Sequence, residues 1–500
     1  MRGSRLFTRT VSCLTITLIL FVAALQSTNA KENVFSNSMV DVVTIKIALY
    51  DAHDKYNIQQ FKVAFNYGWR KGNRLYRFNL TTIDSDDVLG LGAKPLTNKN
   101  FDVFVVGANA KTYLYDGLNN QWKKRVKEFV ANGGGYLGVC GGANAATLGF
   151  KHSDNLFHLW VNKGVIGLAN VYINDDLLGE WQYLLKFGFD AKNRGSTTDF
   201  SPEFISVNTT IEKNSENIIF KGYNKVFLNI AYGGGPGMYP ADKTDEKFGK
   251  IIPLLVYNEE PMRSKPLHYW LPTLKGGKIL CNVTTNLFGK YAGVATTYNS
   301  KGRVVLYGPH PEYPLVPVNG TIREYLGKGY LMRNTPFKQY VYNYLGRFLN
   351  LSSNIWVIRR SAAWAAHVPE NDLPPFDETS VWLIKPSPHQ NKMYFKDRFE
   401  IKENVLIKKL FKDVSAVVFG NPAVQVRTSL NIKKVEFYVD NNLLANCTKP
   451  DFIDHASYYT AKVDIGLQGK HTIKVKAYDK AGNVVSDSVT VWKIPELHVF

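Results

Sequence analysis

The sequence reads Gly133-Gly134-Gly135-Tyr136-Leu137-Gly138-Val139-Cys140-Gly141-Gly142-Ala143 at the point that decides its fold. The apolar run over 136–139 predicts a strand, and the small residues after Cys140 predict a helix directly behind it. Glycines flank Cys140 because a sharp strand-to-helix turn leaves no room for neighbouring side chains. Such a turn exposes the thiol at a helix N-terminus, where the thiolate is favoured and can attack a carbonyl. A glycine-rich turn around an inert cysteine is the alternative that this stretch leaves open.

Strands and helices alternate on the N-terminal side of this turn. Runs rich in β-branched residues over 42–50 and 101–106 predict buried strands, and helical spacing of apolar residues predicts a helix over 57–69. A second amphipathic helix follows, with one face formed by Trp122, Val126, Phe129 and Val130. This alternation is typical of a parallel sheet, whose loops and sites gather at the carboxyl ends of the strands.

Length and composition indicate an exported protein with more than one domain. At 500 residues the chain exceeds one ordinary core. Residues 1–30 combine Arg2, Arg5 and Arg9 with an apolar run and small residues at a cleavage position, as in a signal peptide. We therefore expect a mature protein outside the cytoplasmic membrane, extracellular or in the cell envelope, without a membrane span. An uncleaved anchor is the alternative, although the apolar run is short for a span of about 20 residues.

Charge and cysteine usage restrict the partners. The net charge of +19 is spread along the chain without a long basic run or nucleic-acid motif, so we expect no nucleic acid partner. A generally solvated basic surface explains the excess better than affinity for an anionic envelope, which is the alternative. Cysteine spacing fits no metal site, and we predict neither a metal nor a cofactor. Asp479 and Asn483 could suggest calcium, but a turn between two strands needs the same residues.

The sequence after Cys140 supplies further candidate site residues. The run Tyr232-Gly233-Gly234-Gly235 predicts a loop where the backbone approaches a substrate, or else a flexible connector. A strand over 302–308 leads into His310-Pro311-Glu312. A thiol nucleophile needs a base and a third group that orients the base, and His310 with Glu312 can fill these two roles.

These motifs resemble a known family. The run 138–142 together with His310-Pro311-Glu312 looks like the nucleophile turn and His-x-Glu pair of class I glutamine amidotransferase-like domains. Five stretches are similar, more narrowly, to the amidotransferase-like N-terminal domain of eukaryotic biotin protein ligases: 105–118, 130–143, 232–236, 291–295 and 302–312. The resemblance implies an α/β fold, a flavodoxin-like parallel sheet sandwiched by helices.

The resemblance also implies roles for individual residues. Cys140 would be the nucleophile, His310 the base and Glu312 the orienting carboxylate. The oxyanion hole would use the backbone N–H of Gly141 and a second one near Gly107 or Ala108. Val106-Gly107-Ala108 stands where that family usually has Pro-Gly-Gly.

Prolines accumulate over 362–388, and short alternating strands follow. We predict a signal peptide over 1–30, an amidotransferase-like domain over 31–361, a Pro-rich linker over 362–388 and an all-β sandwich over 389–500. The stretches 435–440 and 471–483 are similar to bacterial immunoglobulin-like modules, which act as spacers or adhesive units.

The sequence thus predicts an exported cysteine-dependent amidase or hydrolase that acts on a small-molecule or peptide amide through Cys140, His310 and Glu312. The alternative is a catalytically silent envelope protein that keeps the fold for ligand binding. In either case the C-terminal module would contact an envelope or surface partner.

Overall fold

The computed structural model describes residues 41–52, 55–174, 205–260, 268–273, 276–282, 286–313, 354–388, 392–395, 399–402, 414–429, 431–453, 456–480 and 482–494. The predicted signal peptide lies outside these ranges, and so do residues 329–351, whose sequence predicts a helix. By its internal contacts the chain forms two units, Met1–Asp41 with Gly72–Arg74 and Val42–Lys71 with Leu75–Phe500. In the smaller unit the amide of Asp41 donates to the carbonyl of Asn73 at 3.1 Å.

The N-terminal part of the described chain alternates helices and strands and then turns to strands alone. The strands are β1 (Asp41–Tyr50), β2 (Gly68–Lys71), β3 (Arg74–Ile83), β4 (Val103–Val106), β5 (Gly135–Val139), β6 (Val171–Ile173), β7 (Ile205–Ile211), β8 (Phe227–Tyr232), β9 (Met238–Pro240), β10 (Ile252–Tyr257), β11 (His268–Thr273), β12 (Gly276–Asn282), β13 (Tyr291–Tyr298) and β14 (Gly302–Tyr307). The α-helices are α1 (Lys55–Phe65), α2 (Ser85–Leu89), α3 (Lys111–Leu114), α4 (Asn120–Ala131), α5 (Gly141–Ala146), α6 (Leu156–Gly164) and α7 (Ile355–Ala365). Short 3₁₀ helices cover Asp116–Leu118 and Glu370–Asp372.

Twelve strands form one large sheet, in the order β2-β3-β1-β4-β5-β14-β13-β10-β7-β8, with β9 pairing β13 and β6. Strands β1, β4, β5 and β14 are parallel neighbours. From β14 outward, β13, β10, β7 and β8 pair antiparallel. The predicted flavodoxin-like parallel sheet is therefore wrong. The structure is mostly β, with 42% strand and 19% helix, and its main sheet is mixed.

The reason for this error lies after Cys140. Alternation of strands and helices holds up to α6, but β7–β10 and β13–β14 follow one another without an intervening helix in the described chain. Strands β13 and β14 form a hairpin, in which Asn299 and Ser300 adopt positive φ values of 52° and 56°. A short turn joins only antiparallel strands, whereas a parallel pair needs a long crossover.

The central strands are buried on both faces. Along β1, Ile45, Ile47 and Leu49 belong to one hydrophobic cluster, and Ala48 and Tyr50 belong to the other. The same alternation recurs in β4 and β5. Strands packed on both faces must carry apolar side chains throughout, which explains the β-branched runs in the sequence.

Helices cover both faces of these strands. The predicted buried face of α4 is confirmed, since Trp122, Val126, Phe129 and Val130 are its buried residues. Helix α1 and the wholly buried α7 contribute to the other cluster. With both faces packed, the loops at the carboxyl ends of β4, β5 and β14 are where side chains can gather into a site.

The C-terminal part holds two further sheets. Their strands are β15 (Val381–Lys385), β16 (Lys392–Phe395), β17 (Phe399–Lys402), β18 (Ala416–Phe419), β19 (Ala423–Thr428), β20 (Ile432–Val439), β21 (Asn442–Cys447), β22 (Asp451–Ile453), β23 (Ala456–Lys462), β24 (Gly469–Asp479) and β25 (Val484–Ile494). One sheet has the order β15-β19-β23-β22 and the other β17-β16-β18-β25-β24-β20-β21.

The predicted immunoglobulin-like sandwich does not describe these sheets. Immunoglobulin sheets are antiparallel, whereas β16–β18 and β18–β25 are parallel pairs within a seven-stranded mixed sheet. Residues 362–388, predicted as a linker, contain the end of α7 and the buried start of β15. The domain boundaries themselves stay predictions.

Among the described residues, no helix has both the length and the apolar character needed to cross a bilayer.

Candidate functional site

Cys140 lies in a strained turn between β5 and α5. Its backbone has φ 52° and ψ −109°, a conformation that costs a non-glycine residue about 1–3 kcal/mol. The flanking glycines make the turn possible, because a Cβ atom at Gly141 would lie 1.7 Å from the carbonyl oxygen of Asn109. The amide of Gly142 donates to the carbonyl of Gly107 at 3.1 Å. The loop after β4 is thereby fixed against the cysteine turn.

His310 reaches the same point from β14. Its backbone N–H donates to the carbonyl of Ala231 at 2.6 Å, which ties the segment after β14 to the end of β8. Its ring nitrogen Nδ1 lies 2.8 Å from Oε1 of Glu312. The Cys140 side chain lies close enough to the ring to raise the pKa of His310. The structure thus brings together the three residues that the sequence proposed as nucleophile, base and orienting group.

The three side chains are almost completely enclosed. Cys140 is 6% exposed, His310 1% and Glu312 0%. The ring of Tyr313 packs edge-on against the His310 ring, with centroids 5.4 Å apart. Water is therefore largely excluded, and charges inside the cluster interact more strongly than they would at a surface.

Neighbouring charges decide the protonation state of His310. Burial lowers its pKa, but the neighbouring Glu312 and Cys140 side chains outweigh burial and raise the pKa to about 10. His310 therefore holds its proton at neutral pH. A protonated imidazole placed between a carboxylate and a cysteine can stabilise the thiolate that attacks a carbonyl.

Asn57 of α1 is a site residue that sequence analysis missed. It is 4% exposed, and its Nδ2 donates to Oε1 of Glu312 at 2.8 Å. Its Oδ1 accepts the backbone N–H of Ala108 at 3.0 Å. In the sequence, only the position of Asn57 in the helix after the first strand could have indicated a site residue. Its partner Glu312 follows 255 residues later, so no local motif joins the two.

The three oxyanion candidates differ in their surroundings. The N–H of Ala108 is already donated to Asn57. Gly107 lies so close to Asn57 that an added Cβ would meet Oδ1 at 1.6 Å. Gly141 is the first residue of α5, and an amide at that position has no acceptor within its own helix. The Gly141 amide is thus the best placed of the three to meet an oxyanion.

The glycine-rich loop after β8 also lies against the nucleophile. Tyr232, Gly233, Gly234 and Gly235 are all buried. A Cβ at Gly235 would lie 1.8 Å from the carbonyl oxygen of Gly308 and 3.2 Å from Cα of Cys140. The Tyr232 ring packs edge-on against Tyr257, with centroids 6.2 Å apart. The proposed substrate loop therefore forms a wall of the site.

The described residues contain no group of three or more His, Cys, Asp or Glu side chains that could hold a metal ion. At the position considered for calcium, both carboxylate oxygens of Asp479 accept hydrogen bonds from Asn483, each at 2.8 Å. These bonds close a turn between β24 and β25.

Comparisons with known proteins assign no family. No family profile matches the chain, and no curated protein matches it. The fibronectin(III)-like modules of CbhA from Clostridium thermocellum align at 24% identity over 16% of this chain and 87% of that chain, with a TM-score of 0.13. CopC from Methylosinus trichosporium OB3b aligns at 14% identity over 17% and 87%, with a TM-score of 0.14. The GH42 β-galactosidase Gan42B aligns at 9% identity over 89% of this chain and 38% of that chain, with a TM-score of 0.26. At these scores the likenesses carry no argument about function.

Proposed function

We propose that the protein is a cysteine-dependent amidase or hydrolase in which Cys140, His310 and Glu312 act together on a small-molecule or peptide amide. The observation that carries this proposal is the buried His310 ring, which is hydrogen-bonded to the Glu312 carboxylate and lies close enough to Cys140 for that side chain to raise its pKa. The motif resemblance to class I glutamine amidotransferase-like domains supports the same chemistry. Export, predicted from residues 1–30, would place the activity outside the cytoplasmic membrane.

The reaction follows from the resting charges. The Cys140 thiolate attacks the amide carbon, and the carbonyl electron pair moves onto oxygen, which the Gly141 amide would stabilise. When the carbon–nitrogen bond breaks, the leaving amine takes the proton of His310. Neutral His310 then removes a proton from water, and the resulting hydroxide attacks the thioester. The thiolate leaves, His310 is protonated again, and the net change is amide plus water to acid plus amine.

Glu312 and Asn57 keep His310 competent throughout this cycle. Glu312 balances the imidazolium charge, and Asn57 fixes Oε1 of Glu312 through its Nδ2 donor. The enclosed sulfur admits a slender amide group more readily than a folded polypeptide, because Cys140 is only 6% exposed.

Thiol alkylation across pH tests the proposal, with modification of each cysteine followed by mass spectrometry. Wild-type Cys140 should react with iodoacetamide at nearly the same rate from pH 6 to pH 9, since His310 stays protonated until about pH 10. In His310→Ala the rate at pH 6.5 should fall by about a hundredfold, as expected for an ordinary thiol about two pH units below its pKa. His310→Gln keeps a polar side chain at this position and serves as a second variant in case His310→Ala does not fold. Equal Cys140 rates in wild type and both folded variants would contradict the proposal.

The second candidate function is a silent envelope protein that binds a ligand at the same place. It is favoured by the Ala108 amide, which donates to Asn57 and so supplies no second oxyanion donor in this state. Two results together would favour this candidate. Cys140 would react with the alkylating reagent while no amide in a substrate panel is turned over, and Cys140→Ser would retain ligand binding.

A further inference from the structure

Helix α6 presents apolar side chains to solvent. Its inward positions are His158, Val161 and Gly164, which are buried. Its outer face consists of Leu156, Leu159, Trp160 and Lys163, at the i, i+3, i+4 and i+7 spacing of a single helical stripe. Leu156 is 84% exposed, Leu159 52% and Trp160 54%. A surface helix ordinarily turns such a stripe towards the core, so this orientation points to an external apolar partner.

The aromatic residues on this side are arranged for a boundary between water and an apolar phase. The indole N–H of Trp160 donates to the carbonyl of Leu114 at 3.0 Å, so the polar group is satisfied while the ring stays outside. Tyr115, the residue after Leu114, is 71% exposed. Tryptophan and tyrosine with one satisfied polar group and an exposed ring are enriched at membrane interfaces.

Lysines lie beside the α6 outer face. Lys163 lies within the stripe itself, and the ammonium of Lys123 on α4 lies 2.7 Å from the Lys163 carbonyl. Lys124 and Lys127 lie on the same helix as Lys123, and Glu128 of α4 pairs with Lys124 and Arg125 at 3.8 and 3.7 Å. Burial is the main cause that lowers the pKa of Lys123, and the charge of Lys163 lowers it further. Lys123 and Lys163 are thus neighbouring positive charges in a chain with a net charge of +19.

We propose that the α6 outer face, together with Tyr115 and the lysines of α4, docks onto the surface of a lipid bilayer that contains anionic headgroups. Three large apolar side chains, with Lys163 among them and Lys123 beside them, match the shallow insertion and electrostatic attraction of an interfacial helix. A second copy of the chain would set these lysines against one another. The stripe is also small for a stable dimer, which buries roughly 800 Å² on each partner. This inference is independent of the amidase proposal.

A local readout tests the docking. Full-length wild type and Trp160→Phe are mixed with vesicles of phosphatidylcholine alone or of phosphatidylcholine with phosphatidylglycerol, each with brominated acyl chains. The difference between the two emission spectra isolates Trp160, so any binding through residues 1–30 cancels. The Trp160 emission should shift to the blue and be quenched only with the anionic vesicles.

Variants of the face define its contribution. Leu156→Asp with Leu159→Asp should abolish the Trp160 quenching, while Leu467→Asp should not, because Leu467 is an 86% exposed leucine outside α6. Lys163→Gln should weaken partitioning by about fivefold, as expected from about 1 kcal/mol per basic residue near an anionic surface. Circular dichroism and thermal unfolding show whether each variant is folded.

Three outcomes would overturn the proposal. Trp160 emission unchanged by vesicles would show that the face does not dock, whatever else binds. Equal quenching by neutral and anionic vesicles would remove the role of the lysines. The protein could instead self-associate without lipid in a concentration-dependent way. If the double aspartate variant lost this self-association, the face would be assigned to a second copy of the chain.

Discussion

Cys140 and Cys447 carry free thiols in two very different regions of the molecule. Cys140 ends a central strand of the twelve-stranded sheet and is held against a protonated histidine. Cys447 ends β21, a strand at the edge of the seven-stranded sheet, where its Sγ donates weakly to the carbonyl of Thr460 at 3.7 Å. Burial raises the pKa of Cys447. The comparison predicts that the charges around a thiol, rather than its exposure, set its reactivity, since the less exposed cysteine has the histidine partner.

Glu312→Gln should remove most of the difference between the two thiols. Without the Glu312 charge, burial is opposed less strongly and the pKa of His310 falls. We expect the ratio of Cys140 to Cys447 alkylation rates at pH 6.5 to fall by about fiftyfold, which corresponds to about 2.3 kcal/mol of lost interaction at 1.36 kcal/mol per factor of ten. The Cys447 rate serves as the internal control. An unchanged ratio would show that Glu312 does not maintain the charge on His310.

Asn57→Ala should reduce the same ratio by about tenfold, because one charge-assisted hydrogen bond to Glu312 is lost. Asn66→Ala, an exposed asparagine just beyond the end of α1, is the matched control. The pH profile separates positioning from mere stability, since loss of the Glu312 restraint should move the alkaline limit of Cys140 reactivity downward. A slower rate with an unshifted profile would assign Asn57 a purely structural role.

Asp487 extends the comparison from thiols to a carboxyl group. Its expected effect, on the free energy of unfolding, is the smallest of those predicted. Burial raises its pKa to about 6, and the hydrogen bonds from the amides of Leu383 and Ser488 only partly oppose this. A carboxyl group with a raised pKa in the folded state stabilises the fold at low pH, and this contribution is lost as pH rises from about 4 to about 6. Denaturant unfolding should show wild type losing about 1 kcal/mol relative to Asp487→Asn between pH 4 and pH 7. Parallel pH curves for the two proteins would exclude Asp487 as the titrating group.

The sequence predicted the cysteine turn and its partners because short-range rules govern both. The glycines beside Cys140 indicate a turn with no room for side chains, and His310-Pro311-Glu312 is a local motif at a strand end. Asn57 could not be found in this way, since its contacts with Glu312 and Ala108 exist only after distant segments meet. The antiparallel half of the main sheet and the parallel pairing of β16, β18 and β25 were missed for the same reason. Strand patterns report burial, but they do not report which neighbour a strand pairs with.

Arg359 and Arg360 of α7 bind segments from widely separated parts of the sequence. Arg359 donates to the carbonyls of Ala64 and Thr379, each at 2.9 Å, and its guanidinium lies 4.0 Å from the centroid of the Tyr67 ring. Arg360 donates to the carbonyls of Ile219 and Pro374. Burial lowers the pKa of each guanidinium to about 10, so both stay charged and need all of these acceptors.

Two buried cations of this kind make folding all-or-none across the predicted boundary at residue 361. A chain cut there would lose Pro374 and Thr379 while keeping both arginines, and each would face the cost of an unsatisfied buried charge. The N-terminal sheet and the strand β15 should therefore melt in one cooperative transition. For evolution, this means that an exchange of the C-terminal sheets must keep residues 374–379 or redesign α7.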